Sequence, residues 1–222
     1  MTTNKTAWVA GATGLIGGHL IRQLCDHPHI AQVVTFVRGK PQGKHFEHPK
    51  VHIHPCHFEQ LEAPMNAAPH LLFCALGTTK RKTPDPMQYR RIDVEYPIAF
   101  GRLGKESGAS SYAVVSAHGA SARSLSTYLR LKGEMENATS GLGFDSVIIA
   151  RPGLLLGDRG EFRLGEKLAE GVTRFLPGNY RAIQAHDVAA AMIAASNQAQ
   201  SGIQVLSSAS MQGAIRSQPQ PC

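Results

Sequence analysis

Aromatic side chains are scarce in this chain, at 6% of 222 residues with a single Trp. The scarcity matters because the formal charge is +7, from 23 Lys and Arg against 16 Asp and Glu. A basic surface that reads nucleic acid interleaves its charges with stacking rings. Here the basic residues are scattered, and nucleic acid is not expected as a partner. Cysteine is sparse too: Cys25, Cys56, Cys74 and Cys222 show no paired spacing, and two of them fall inside apolar runs. That usage favours reduced thiols over a disulfide framework. No apolar run approaches the ~20 residues of a membrane span, and the N-terminal residues lack the apolar core of a secretory signal. A soluble, cytoplasmic protein with no membrane partner is the expectation. The hydrophobic share is 42%, and no internal repeat or long linker interrupts the chain. One compact domain over residues 1–222, long enough to bury a good core, fits these features.

What the chain does have is concentrated near its start. Thr6 to Ala10 reads as a short buried strand that feeds directly into glycines at 11, 14 and 17. In such a turn the first glycine permits the sharp exit from the strand and the second lets backbone approach a pyrophosphate. The third allows the next helix to pack closely on the sheet. That helix is marked by Leu15, Ile16, Leu20, Ile21 and Leu24 at helical spacing, and phosphates would sit on its positive end. An ordinary strand-to-helix turn is the plainer alternative. Read as a dinucleotide site, the turn offers Gly11, Thr13, Gly14, Leu15, Ile16 and Gly17 as cofactor-binding residues.

The second β-rich run, Val33 to Val37, ends in Arg38-Gly39-Lys40. An NAD-selective site usually places Asp or Glu there to accept bonds from the ribose 2′-hydroxyl, whereas Arg accommodates a 2′-phosphate. No acidic residue occurs from Ala31 through Phe46. Arg38, supported by Lys40 or Lys44, therefore favours NADP(H) over NAD(H).

Strand-like segments near 7–10, 32–37, 51–54, 71–76, 112–116, 146–150 and 203–206 alternate with helical patterns. Such alternation predicts an α/β fold whose parallel sheet is covered on both faces. Residues 39–50 and 77–86 read as loops, and the polar, proline-bearing end of the chain from Ser207 to Cys222 is expected to leave its last residues mobile. His48, His52, His54 and His57, with Cys56, invite a metal reading. It is declined, because Pro55 breaks the run and no carboxylate or second Cys completes a ligand set. An exposed strand end beside the adenine side of a cleft is the simpler account.

Chemistry enters in the second half. Ser111 to Ser116 reads as a strand ending in a serine, and Tyr128 and Lys132 follow four residues apart, on one face of a predicted helix. An ammonium near a phenol stabilises the phenolate, which would lower the Tyr128 pKa from about 10 toward neutrality and make it a usable acid or base.

With Gly11-x-x-Gly14-x-x-Gly17, Ser116 and Tyr128-x-x-x-Lys132 in this order, the chain resembles the short-chain dehydrogenase/reductase superfamily. A closer resemblance rests on Cys74-Ala75-Leu76-Gly77-Thr78-Thr79, Tyr128-Leu129-Arg130-Leu131-Lys132-Gly133-Glu134 and the run Arg151 to Arg159. It is to the atypical branch that contains the human Tat-interacting protein of thirty kilodaltons and bacterial oxidoreductase-like relatives. The resemblance implies a Rossmann-like doubly wound parallel sheet with helices on both faces, and a small C-terminal substrate region over about 152–222. It implies hydride transfer between NADP(H) and a small carbonyl or alcohol substrate. Tyr128 would be the proton donor or acceptor, Ser116 would orient the substrate oxygen, and Lys132 would hold the nicotinamide ribose and tune Tyr128. Leu76, Gly77 and Thr78 would close over the adenosine side, and the backbone of Arg151, Pro152, Gly153 and Leu154 would run along the carboxamide, where Pro152 removes one donor.

Two departures stand out. The fourth strand ends in Leu-Gly-Thr-Thr, and Asp93 occupies the place where many relatives carry a catalytic Asn. Two other functions compete: an NADP(H)-sensing protein that presents a surface to a protein partner, and an epimerase or dehydratase of nucleotide sugars. The basic run Lys80-Arg81-Lys82 could serve a partner, an anionic substrate or solvent. Pocket residues are expected from 77–90, 118–125 and 154–180, with Arg159, Phe162, Arg163, Arg174 and Phe175 among them. His186 and Asp187 mark the start of a late helix, with Asp187 placed to favour its dipole.

Overall fold

The computed structural model describes residues 4–156, 182–198 and 200–216. Seven strands form one sheet: β1 (Lys5–Ala10), β2 (Ile30–Val37), β3 (Val51–Pro55), β4 (Leu71–Cys74), β5 (Ser111–Val115), β6 (Ser146–Arg151) and β9 (Gly202–Ser207). Their order is β3-β2-β1-β4-β5-β6-β9, and every neighbouring pair is parallel. The predicted α/β architecture is thus present. A further two-stranded pair, β7 (Leu155–Leu156) with β8 (Ile183–Gln184), was not predicted. Segments of two residues carry no period.

Buried strands of a parallel sheet must be apolar on both faces, and β1 shows why. Ala7 and Val9 pack into one layer with Leu20, Ile21, Val188 and Met192, while Trp8 and Ala10 point into the other with Phe36, Phe73's neighbour Leu72, Phe100 and Tyr112. Trp8 satisfies its one polar atom by donating from Nε1 to the Ala67 carbonyl at 2.7 Å. The first layer is built from α1 (Leu15–Asp26) and α5 (Ala185–Asn197), which includes the late helix predicted at His186 and Asp187. The opposite layer holds α3 (Tyr96–Glu106) and α4 (Thr127–Ser140).

Before α3 the chain forms α2 (Pro86–Arg90) and a π turn over Arg91–Glu95. Asp85 caps α2 by accepting from the Met87 and Gln88 amides. α6 (Ser208–Arg216) follows β9 and buries Met211. This helix is not predicted from the sequence, because Met211 alone gives no helical period. Residues 157–181 and 217–222 lie outside the described residues, and with them Arg159, Phe162, Arg163, Arg174, Phe175 and the terminal segment. No described helix is long and apolar enough to cross a membrane.

The sheet order reverses between β1 and β4, since β2 lies on one side of β1 and β4 on the other. Crevices for ligands form beyond the carboxyl ends of strands at such a reversal. Gly11 sits there with φ +80°, and a Cβ on it would lie 2.5 Å from the Ala75 carbonyl carbon and oxygen. Gly17 faces backbone even more closely, with a Cβ placed 2.0 Å from the Gly11 carbonyl oxygen. By contrast, the nearest neighbour to a Cβ on Gly18 is the His45 ring, at 3.7 Å.

Gly17→Ala should therefore destabilise the fold by about 1–3 kcal/mol. Gly18→Ala, in ordinary contact and inside a helix, should be neutral or stabilise by up to about 1 kcal/mol. Urea unfolding of both variants checks this, and an unaffected Gly17→Ala would mean that α1 does not pack on the turn as described.

Candidate functional site

The glycine turn ends at Gly14, which precedes α1 in an extended conformation, φ −82° and ψ 172°. No side chain caps the helix, and its first turn holds no acidic residue. Its positive end is thereby left for another acceptor. Of the turn residues named from sequence, Gly11, Thr13, Gly14, Leu15, Ile16 and Gly17 all lie at this strand-to-helix corner, with Ile16 buried beneath it. Arg38 is exposed just past the end of β2, near the Cys56 thiol. Cys56 itself is buried, and burial pushes its thiol up to about 11. Lys40 and Lys44 are exposed on the same connection.

Leu76, Gly77 and Thr78 leave β4 at the same end of the sheet as this turn. Thr78 is anchored there: its amide donates to Asp93 Oδ2 at 3.1 Å, and its hydroxyl lies 2.9 Å from that of Thr83. A Cβ at Gly77 would come within 3.6 Å of Asp93 Oδ1 and 3.8 Å of Lys132 Nζ. Gly77 thus packs directly against these two charges.

Tyr128 and Lys132 lie one turn apart on α4, as their spacing predicts. Gly133 lets the helix approach the preceding loop, because a Cβ there would lie 2.2 Å from backbone atoms of Ser121 and Ala122. Ser116 follows β5 directly, and its amide donates to the Ala150 carbonyl at 2.7 Å. Its hydroxyl is buried and has no hydrogen-bond partner among the described residues. An orphaned hydroxyl of this kind fits a substrate oxygen.

The unforeseen element is the partner of Lys132. Its ammonium is 2.9 Å from Asp93 Oδ1, with Lys132 4% and Asp93 1% exposed. Asp93 comes from the π turn, a distortion that recurs at functional sites. Tyr89, on α2, is buried beside Asp93 and Tyr128, and burial with those two neighbours pushes its phenol up to about 12. An aromatic residue four positions before a buried acid was the signal available for it.

These contacts correct the expected tuning of Tyr128. Tyr128 is 38% exposed as a residue, yet desolvation by the surrounding walls raises the phenol pKa above its ordinary value. Lys132 draws it back, and Asp93 opposes Lys132. The spacing of Tyr128 and Lys132 alone predicts a lowered value; it shows neither the burial of the phenol, which is the larger effect, nor the charge of Asp93.

The segment after β6, whose backbone the resemblance sets along the carboxamide, is anchored to its neighbours. Arg151 makes a two-pronged ion pair with Glu136 of α4, its Nε donating to Oε1 at 2.9 Å and its NH2 group donating to Oε2. Glu136 lies four residues beyond Lys132, so its position on that helix face was readable. The Pro152 carbonyl accepts from the His118 amide at 2.9 Å, and the Gly153 amide donates to the Ser208 hydroxyl at 2.7 Å. Leu154 is exposed.

The histidines around β3 do not converge. His52 is exposed, and His54 Nε2 lies 3.1 Å from the Glu62 carbonyl with its ring against Phe36. Among the described residues no group of three His, Cys, Asp or Glu side chains is placed to hold a metal ion. Cys25, Cys56 and Cys74 are free and buried.

The chain and its fold have counterparts among known proteins. Protein HTATIP2 of Rattus norvegicus is 32% identical over 179 residues, covering 80% of this chain and 74% of that relative. The mitochondrial protein fmp52-1 of Aspergillus terreus is 31% identical over 170 residues, covering 74% and 73%. Among solved structures, the UDP-N-acetylglucosamine 4-epimerase from Methanobrevibacter ruminantium M1 in complex with UDP-N-acetylmuramic acid has a TM-score of 0.68. It is 13% identical and covers 92% of this chain and 77% of that one. The Bordetella bronchiseptica enzyme WbmH in complex with NAD+ has a TM-score of 0.68 at 15% identity, covering 92% and 76%. At such identities the structural likeness carries the fold alone. Residues 11–199 match the model of an NAD(P)H-binding family, and the chain belongs to that family, within the atypical branch of the short-chain dehydrogenase/reductase superfamily.

Proposed function

We propose that the protein is an NADP(H)-dependent oxidoreductase that acts on a carbonyl or alcohol substrate, with Ser116, Tyr128 and Lys132 as its catalytic residues. The observation that carries this reading is the buried ammonium of Lys132 beside Gly77, one helical turn from the partly exposed Tyr128. A solvated surface pair would not be buried in this way.

The residues present fit a dinucleotide. The uncapped α1 start and the glycine turn would take the pyrophosphate, with Gly11, Thr13, Gly14, Leu15, Ile16 and Gly17 around it. Arg38 would meet the 2′-phosphate, and Leu76, Gly77 and Thr78 would cover the adenosine side. Lys132 would reach the nicotinamide ribose hydroxyls, while the backbone of Arg151, Pro152, Gly153 and Leu154 would run along the carboxamide. A bound reduced nicotinamide supplies a hydride to the substrate carbonyl carbon. As the carbonyl electron pair moves onto oxygen, Ser116 holds that oxygen and Tyr128 gives it the proton of its hydroxyl. The tyrosinate is then reprotonated from solvent. A cytoplasmic setting accompanies this reading, supported by the three free buried thiols; the mitochondrial designation belongs to the fungal relatives.

One observation favours a second reading. Asp93 already engages Lys132, and the Tyr128 phenol is raised, which suits a protein that holds NADP(H) and signals its presence to a partner.

Loss of a charge-assisted phosphate contact costs about 1.5–3 kcal/mol, or tenfold and more in affinity. NADPH should accordingly bind at least tenfold more tightly than NADH, and Arg38→Ala should remove most of the difference. Fluorescence titration at fixed salt measures both, and equal affinities in the wild type would end the NADP(H) assignment.

Tyr128→Phe should lower turnover by about 10²–10⁴-fold with little change in NADPH affinity. Lys132→Met should lower both turnover and affinity. It should also reduce stability by about 3–5 kcal/mol, because it leaves Asp93 buried without its partner. NADPH absorbance with a panel of aldehydes, ketones and quinones, beside binding and urea unfolding, separates these effects. If the wild type reduces nothing on a broad panel, yet Tyr128→Phe still binds a protein partner only with cofactor present, the sensor reading replaces the enzyme.

A further inference from the structure

Asp93 reaches the Tyr128 and Lys132 pair from a helix that has to widen to deliver it. The π turn Arg91–Glu95 turns its carboxylate inward, where Oδ2 accepts the Thr78 amide at 3.1 Å and Oδ1 faces Lys132 Nζ at 2.9 Å. Two anchors on separate elements fix this carboxylate in place. Tyr128 therefore faces two opposite charges held together. The field of such a pair falls off faster than that of a lone ammonium, and much of the stabilisation that Lys132 could give a phenolate is cancelled.

Resting on the oxidoreductase reading above, we propose that Asp93 is a positioning residue for Tyr128: by holding the Lys132 ammonium in an ion pair, it weakens the pull of that ammonium on the Tyr128 proton, so that the site serves as a proton donor in carbonyl reduction. The hydride and its electron pair come from the reduced nicotinamide. The proton leaves Tyr128 Oη for the new alkoxide and is replaced from solvent.

The other titratable groups facing this cluster do not undo the effect. Tyr89, from α2, stays neutral, since burial, Asp93 and Tyr128 all raise it. Cys74, at the end of β4, is fully buried, and burial raises its thiol. Arg90 of α2 is paired with Glu134 of α4 at 2.6 Å, so those two charges compensate each other.

The test is an alkaline titration of tyrosinate absorbance on the cofactor-free protein, with the Tyr128 signal taken as the difference from Tyr128→Phe. Asp93→Asn keeps the shape and an acceptor for the Thr78 amide but removes the charge. It should give about tenfold or more Tyr128 tyrosinate at a fixed pH below the wild-type midpoint. An unmoved midpoint in a folded variant would overturn the proposal, because a merely structural Asp93 would change stability and leave this titration where it was. If Asp93→Asn does not fold, Lys132→Gln is compared with the double variant Lys132→Gln/Asp93→Asn. Lys132→Gln alone should move the midpoint to higher pH, and adding Asp93→Asn should bring it back by about tenfold in tyrosinate. Coincident midpoints in these two variants would also overturn the proposal. Neither titration needs cofactor or substrate, so its failure leaves the oxidoreductase reading standing. Turnover unaffected by Tyr128→Phe would count against that reading and leave the charge coupling measurable.

Discussion

The buried pair of Asp93 and Lys132 is the contact on which the arrangement of the site depends. It joins three elements that the chain delivers separately: the exit of β4 through Thr78, the π turn through Asp93, and α4 through Lys132. A charge taken out of water is costly unless paired, and here each offsets the other. α4 in turn carries Tyr128 on one side of Lys132 and Glu136 on the other, and Glu136 holds Arg151 at the end of β6. A single face of one helix thus ties the ends of β4 and β6 to the same cleft.

The second constraint is steric. At the point where the sheet reverses, the turn after β1 has to pass against Ala75, and α1 has to pass against the turn. Only residues without a Cβ allow both approaches at Gly11 and Gly17, which leaves an uncapped helix start at the mouth of the cleft. Packing and anion binding make the same demand on these positions. The bases past β2 and the charges under Gly77 then lie at the same end of the sheet, as a dinucleotide would require.

Much of this was legible in the sequence, and for local reasons. Buried parallel strands are short apolar runs, so the five inner strands of the main sheet are legible as such; the edge strands β3 and β9 are largely exposed and show instead alternating β-branched residues, Val51 and Ile53, Ile203 and Val205. Tyr128 and Lys132 share a helix face by spacing alone. Asp93 was visible as a departure from the family pattern, but its role was not. The contact to Lys132 spans many residues, and no local composition announces a π turn. The raised Tyr128 phenol has a similar origin, since its desolvation, the larger effect, and the opposing charge of Asp93 both come from elements outside the helix that carries the pair. Arg151 illustrates a related limit: its position in the fold was foreseen, but its side chain is taken by Glu136. α6 escaped notice because one buried methionine among serines and alanines makes no pattern.

The most direct test of the account is a crystal structure of the protein grown with NADP+. The account predicts the pyrophosphate against the amides that follow Gly11 and Gly14, the 2′-phosphate beside Arg38, and a nicotinamide ribose hydroxyl within hydrogen-bonding distance of Lys132 Nζ while Asp93 keeps its contact. A dinucleotide bound elsewhere, or one whose nicotinamide lies away from Tyr128 and Ser116, would contradict it.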